Sequence, residues 1–116
     1  MQTFAIGRLR DVTLNAEIVG YLEQIDTTLA PFGGSFVVHG GPPTVLEGAW
    51  EGDLVIIGFP SRAAAEGWYA SAAYREILPL RTRNAVCDVL LIDGVEAGHR
   101  ATDVLERERA ARVFAD

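Results

Sequence analysis

The sequence predicts an α+β fold, a four-stranded antiparallel sheet with two helical regions on one face and a second copy of the chain on the other. Three observations carry this expectation. Extended and helical runs alternate in the order strand, helix, strand, strand, helix, strand. The helical runs have one apolar side, as helices on a sheet do. Three of the strands are apolar on both sides, so neither side suits water.

Each element follows from its residues. Thr3 to Leu9 reads as a strand with Phe4, Ile6 and Arg8 on one face and Thr3, Ala5, Gly7 and Leu9 on the other. Leu14, Ile18, Tyr21, Leu22, Ile25, Leu29 and Phe32 then recur at helical spacing, with Glu17, Glu23, Gln24 and Asp26 on the remaining arc. Asn15 suits the N-cap, and Gly33-Gly34 supplies the left-handed turn that ends helices. Ser35 to His39 is the second strand, closed by Gly40-Gly41-Pro42-Pro43, and Thr44 to Glu47 reads as a short extended piece.

Leu54 to Phe59 is the third strand, and Ser61 caps a helix through Ala63, Ala64, Ala65 and Trp68. Ser71 restarts the helix with Tyr74, Ile77 and Leu78 on one side, and Pro79, lacking an N–H, is expected to kink or end it. Val86 to Ile92 is the fourth strand, and Ala101 to Phe114 carries a thin apolar stripe that predicts a C-terminal helix.

Right-handed crossovers put both helical regions on one side of the sheet, which is the ferredoxin-like βαββαβ arrangement. The other side is left bare although Phe36-Val37-Val38, Leu54-Val55-Ile56-Ile57 and Val89-Leu90-Leu91-Ile92 are apolar throughout. Each apolar side chain left in water forgoes roughly 1.5 to 3 kcal/mol, and a whole domain is stable by only about 5 to 15 kcal/mol. The same face of a second subunit is the simplest cover, two-fold pairing being the commonest symmetry, and the C-terminal helix is its competitor.

With 116 residues, one core is expected. The net charge of −6 excludes a basic surface for nucleic acid. All ten basic residues are arginine, which by itself points to no function. A single cysteine, Cys87, rules out an internal disulfide and suits a reducing compartment. No segment has the length of a secretion signal or membrane span, so the sequence predicts a cytoplasmic protein without a membrane partner.

The blocks His39-Gly-Gly-Pro-Pro-Thr-Val-Leu-Glu-Gly-Ala-Trp50, Phe59-Pro-Ser, Trp68-Tyr-Ala-Ser-Ala-Ala-Tyr74 and Asp93-Gly-Val95 resemble domain-of-unknown-function family 1330, within the dimeric α/β-barrel proteins. The resemblance divides the chain into a ferredoxin-like domain, residues 1–95, and a helical extension, residues 96–116. It implies sheet-to-sheet dimerisation and a cavity between sheet and helices. It implies no reaction and no cofactor, since relatives on this fold include cofactor-free monooxygenases, lactone isomerases and haem-handling enzymes. The chain departs from the family pattern at His39, where arginine is common, and at Pro79.

Candidate chemistry is sparse. His39 ends a strand and has the imidazole for general acid or base work, against a plain reading as a polar residue closing an edge strand. Glu47, Trp50, Trp68, Tyr69 and Tyr74 suit an apolar pocket with polar handles, though core packing also accounts for Trp68 and Tyr74. Arg81 and Arg83 follow on the second helical region and suit an anionic ligand, against a reading as solvated arginines near a helix end. Arg8 and Asp88 are expected to pair across neighbouring strands. His99 reads as a surface histidine and Cys87 as a small strand hydrophobe. Two histidines and one cysteine give no metal-site spacing, and Gly40-Gly41 lacks the helix and lysine of a phosphate cradle. The sequence thus leaves two readings: a homodimer binding a small organic molecule, acting as a cofactor-independent enzyme through His39, or a non-catalytic binding or self-association module with a structural aromatic core.

Overall fold

The computed structural model describes residues 1–107. Strands β1 (Thr3–Arg10), β2 (Ser35–His39), β3 (Asp53–Phe59) and β4 (Val86–Asp93) form one sheet in the order β2-β3-β1-β4, every neighbour antiparallel. Helix α1 (Ala16–Leu29) follows β1, and α2 (Arg62–Ala70) and α3 (Ala72–Thr82) separate β3 from β4. This is the α+β ferredoxin-like order that the sequence predicts.

Local chemistry sets the boundaries. Asn15 Oδ1 accepts from the Ile18 amide at 3.0 Å, Ser61 Oγ from Ala64 at 3.1 Å, and Ser71 Oγ from Tyr74 at 3.2 Å. Each cap satisfies an N–H that the helix leaves unbonded. Past α1 a short 3₁₀ turn, Ala30–Phe32, ends at Gly33 with φ +67°. Gly34 then lets β2 start close to the core: a Cβ there would stand 2.7 Å from Phe59 and 2.8 Å from Leu29. Gly34→Ala is therefore expected to cost about 1 to 3 kcal/mol through overpacking, read by urea unfolding.

The sequence expectation differs from the structure in two places. The helix restarts at Ser71, whose backbone is extended, as the sequence predicts, but Pro79, expected to kink or end it, sits inside α3 without ending it. Proline's fixed φ suits a helix, its missing N–H forgoes the one bond to the Arg75 carbonyl, and the helix still closes with the Arg83 amide on the Pro79 carbonyl at 3.1 Å. Residues Thr44 to Glu47 form no strand, because prolines 42 and 43 offer no N–H to a ladder. The expected C-terminal helix begins at residues 103–107, and its remainder lies outside the described residues.

The core lies between the helices and one sheet face. Ala5, Ile57 and Phe59 of the sheet meet Tyr21, Ile25 and Leu29 of α1, and Ala65, Trp68, Tyr74 and Ile77 of α2 and α3. The opposite face carries Phe4 and Ile6 of β1, Ile56 of β3, and Leu90 and Ile92 of β4, which the register brings side by side. Among the described residues nothing covers it, and Leu90 and Ile92 are half exposed.

Candidate functional site

A cavity of about 300 Å³ opens between the sheet and the helices. Its mouth lies at the end of the sheet where β2 finishes, near Val12, Leu14, Gly40 and Asp53. Most of its wall is apolar, and the polar groups on it come from few side chains.

His39 reaches this wall through a strand irregularity. Phe36 and His39 are three residues apart, so in a regular strand they would face opposite ways. The register shifts between Phe36, opposite Ile57, and Val38, opposite Ile56, so Val37 is an extra residue. Such a bulge re-aims side chains beyond it. His39 accordingly shares the Phe36 side, its ring stacked on the phenyl with centroids 4.2 Å apart and planes 14° apart.

The opposite wall is aromatic. Trp68 lies 4.1 Å from Tyr74 and 5.4 Å from Phe59, centroid to centroid, and Tyr69 lies 5.6 Å from Tyr74. Trp68 Nε1 donates to Thr28 Oγ1 at 3.0 Å, and Thr28 Oγ1 donates to the Ile25 carbonyl at 2.7 Å. The indole is thus anchored to α1.

On the helix side of the wall the Tyr21 and Tyr74 hydroxyls are 2.8 Å apart, and Arg81 Nη2 donates to Tyr74 Oη at 3.4 Å. Burial, with Tyr74 beside it, pushes the Tyr21 phenol well above its ordinary value, so it stays neutral and keeps its hydrogen. Burial alone would pull Arg81 down, but the oxygens of Tyr74 and Tyr21 outweigh it and the guanidinium is held above its ordinary value. Arg81 is 6% exposed. Among the described residues it forms no ion pair, whereas Arg8 and Arg10 pair with Asp88, Arg62 with Glu66 and Asp93, and Arg83 with Glu17.

Of the residues singled out in the sequence, His39, Trp68, Tyr69, Tyr74 and Arg81 line this one cavity. Glu47 and Trp50 stand apart on the exposed loop between β2 and β3, in a separate shallow groove, where Trp50 Nε1 donates to the Gly52 carbonyl at 2.9 Å. Arg8 and Asp88 do face each other across β1 and β4, 3.3 Å apart, on the uncovered face, and Arg10 joins them at 2.9 Å. Tyr21, Phe36 and Asp53 also line the cavity without having stood out in the sequence. Tyr21 had one legible signal, a hydroxyl within an aliphatic helix stripe. The other two depend on a bulge and a register that no spacing reveals. Among the described residues no three His, Cys, Asp or Glu side chains gather as a metal site, and no helix is long and apolar enough to cross a membrane.

The family model described as Domain of unknown function (DUF1330) matches residues 2–95, most of the chain. The chain belongs to this family. No curated protein matches it in sequence. Among solved structures this DUF1330 chain is similar to a dimeric ferredoxin-like protein of unknown function from Jannaschia sp. CCS1, at 9% identity and TM-score 0.64, covering 81% of this chain and 100% of that one. A protein of unknown function from Rhodopseudomonas palustris is 18% identical with TM-score 0.61, over 82% of this chain and 83% of that one. SnoaB, a cofactor-independent oxygenase from Streptomyces nogalater, is 14% identical with TM-score 0.56, over 85% and 98%. At these identities the likeness concerns the fold.

Proposed function

We propose that the DUF1330 chain is a cytoplasmic homodimer, joined through its open sheet faces, that binds a small organic molecule in the cavity and acts on it as a cofactor-independent enzyme, with His39 as the acid/base group. The observation that carries this reading is the bulge in β2, which turns the sole histidine of residues 1–95 onto the cavity wall, stacked on Phe36. An imidazole in that place can take a proton from a bound molecule and return it. The fold-level likeness to a cofactor-independent oxygenase is compatible with chemistry of this kind, and the likeness to a dimeric ferredoxin-like protein with the sheet-face dimer.

A second reading has its own support. Trp68 and Tyr74 are deeply buried with indole N–H and phenol satisfied inside the protein, as a structural aromatic core requires. The two readings part at His39. Native mass spectrometry of freshly purified protein should give a dimer carrying a stoichiometric small molecule, and His39→Ala should lower turnover of that compound about 10²- to 10⁴-fold with melting temperature and dimer mass intact. Unchanged turnover removes His39 from the chemistry, and a clean monomer at micromolar concentration removes the dimer.

A further inference from the structure

The part of the cavity wall formed by Tyr21, Tyr74 and Arg81 offers hydrogen-bond donors in excess. Arg81 has five N–H groups and no acceptor, and one of them reaches Tyr74 Oη over a long 3.4 Å. Among the described residues Arg10 Nε is the one buried side-chain nitrogen or oxygen without a partner. The remaining Arg81 N–H groups are shared between Cys87 of β4 and the cavity that Arg81 lines. The two phenols hold two hydrogens, and their mutual bond uses one. Because Arg81 also donates to Tyr74 Oη, the second phenol hydrogen has no acceptor in the pair. Guanidinium and phenol thus converge on one part of a mostly apolar wall, and among the described residues no carboxylate lies within ion-pair distance of Arg81, Asp53 standing elsewhere on the same wall.

We propose that the cavity takes a small planar organic acid, its oxyanion seated on Arg81 beside the Tyr21–Tyr74 hydroxyl pair and its ring against Tyr69 and Trp68. This rests on the cavity being a ligand site, as set out above, and names the ligand's chemical class. A buried guanidinium without a counter-ion is costly, and a ligand carboxylate or enolate repays it through charge-assisted, bidentate bonding that water or a neutral ligand does not match. Size fits a one- or two-ring molecule, since 300 Å³ lies at the lower end of ligand cavities.

Cys87 of β4 lies beside the Arg81 guanidinium, and His39 belongs to β2 at the opposite edge. Register places His39 level with Val55, Gly7 and Val89, two residues along β4 from Cys87, so both groups serve the same end of the sheet. Three strand spacings, about 14 Å, separate the edge strands.

The test compares benzoate, salicylate and 1-naphthoate with their uncharged amides, by calorimetry and by quenching of Trp68 fluorescence, on wild type, Arg81→Met, Arg81→Lys and Tyr21→Phe. At least one acid should bind wild type ten-fold or more tighter than its amide. Arg81→Met should bring the acid-to-amide affinity ratio to about one, Arg81→Lys should restore part of the acid preference, and Tyr21→Phe should weaken the acid several-fold. Acids and amides binding wild type alike, or an acid preference that survives Arg81→Met, overturns the anion site and leaves the cavity reading standing. No binding by any acid or amide overturns the cavity reading and this proposal together.

Discussion

Replacing Trp68 by alanine is expected to cost about 3 to 5 kcal/mol of unfolding free energy, which would consume much of a small domain's stability. The indole is 3% exposed, lies against Phe59 and Tyr74, and donates to Thr28 on α1. Removing it therefore opens a void at the junction of sheet, α1 and α2, and leaves the buried Thr28 hydroxyl without its donor. Exposed Trp50, whose contacts lie within its own loop, provides the control. Trp50→Ala should stay within about 0.5 kcal/mol of wild type. Urea unfolding at fixed protein concentration reads both, since a dimer's stability depends on concentration. A loss below about 1 kcal/mol in Trp68→Ala would mean that the aromatic wall repacks and does not hold the helices to the sheet.

Most of the architecture was legible because its signals are local. Asn15, Ser61 and Ser71 stand where their side chains meet helix N–H groups, and Gly33 stands where the chain turns left-handed. Alternation in β1 separated Ala5 from Ile6, and the structure puts the first in the core and leaves the second on the uncovered face. Pro79 misled because proline removes one helix hydrogen bond without forbidding the turn: its fixed φ is helical, and α3 continues past it to Thr82.

The cavity was only half legible. Trp68, Tyr69, Tyr74 and Arg81 share one helical region and were visible together. Tyr21 meets Tyr74 across 53 residues, and His39 joins them through an extra strand residue. What separates Arg81 from the other described arginines, burial without a carboxylate beside it, is a property of packing. Arg83, two residues on, looked equivalent in sequence but pairs with Glu17 at the surface. The same composition therefore hides one cation kept for something outside the chain.

Leu90→Asp should convert a dimer to a monomer at micromolar concentration. Leu90 sits opposite Ile6 near the middle of the uncovered face, with Ile92 and Phe4 on one side and Arg8 and Asp88 on the other. Residues 103–107, the described part of the C-terminal helix, leave Val86, Leu90 and Ile92 half exposed, so they do not provide the missing layer. Nor is solvent an adequate layer for so many adjacent branched and aromatic side chains. If a second copy covers them, two-fold symmetry brings both Leu90 positions into the interface, and each aspartate enters a dry region beside the Asp88 carboxylate. An unpaired buried charge costs several kcal/mol, so two weaken association by about 5 kcal/mol or more, three to four orders of magnitude in Kd. Glu23→Lys, on the exposed arc of α1, alters charge without touching this face and should leave the dimer intact. Sedimentation or light scattering distinguishes the cases. A Leu90→Asp dimer as tight as wild type would place the partner elsewhere, and the open face would then have to be closed by some other layer.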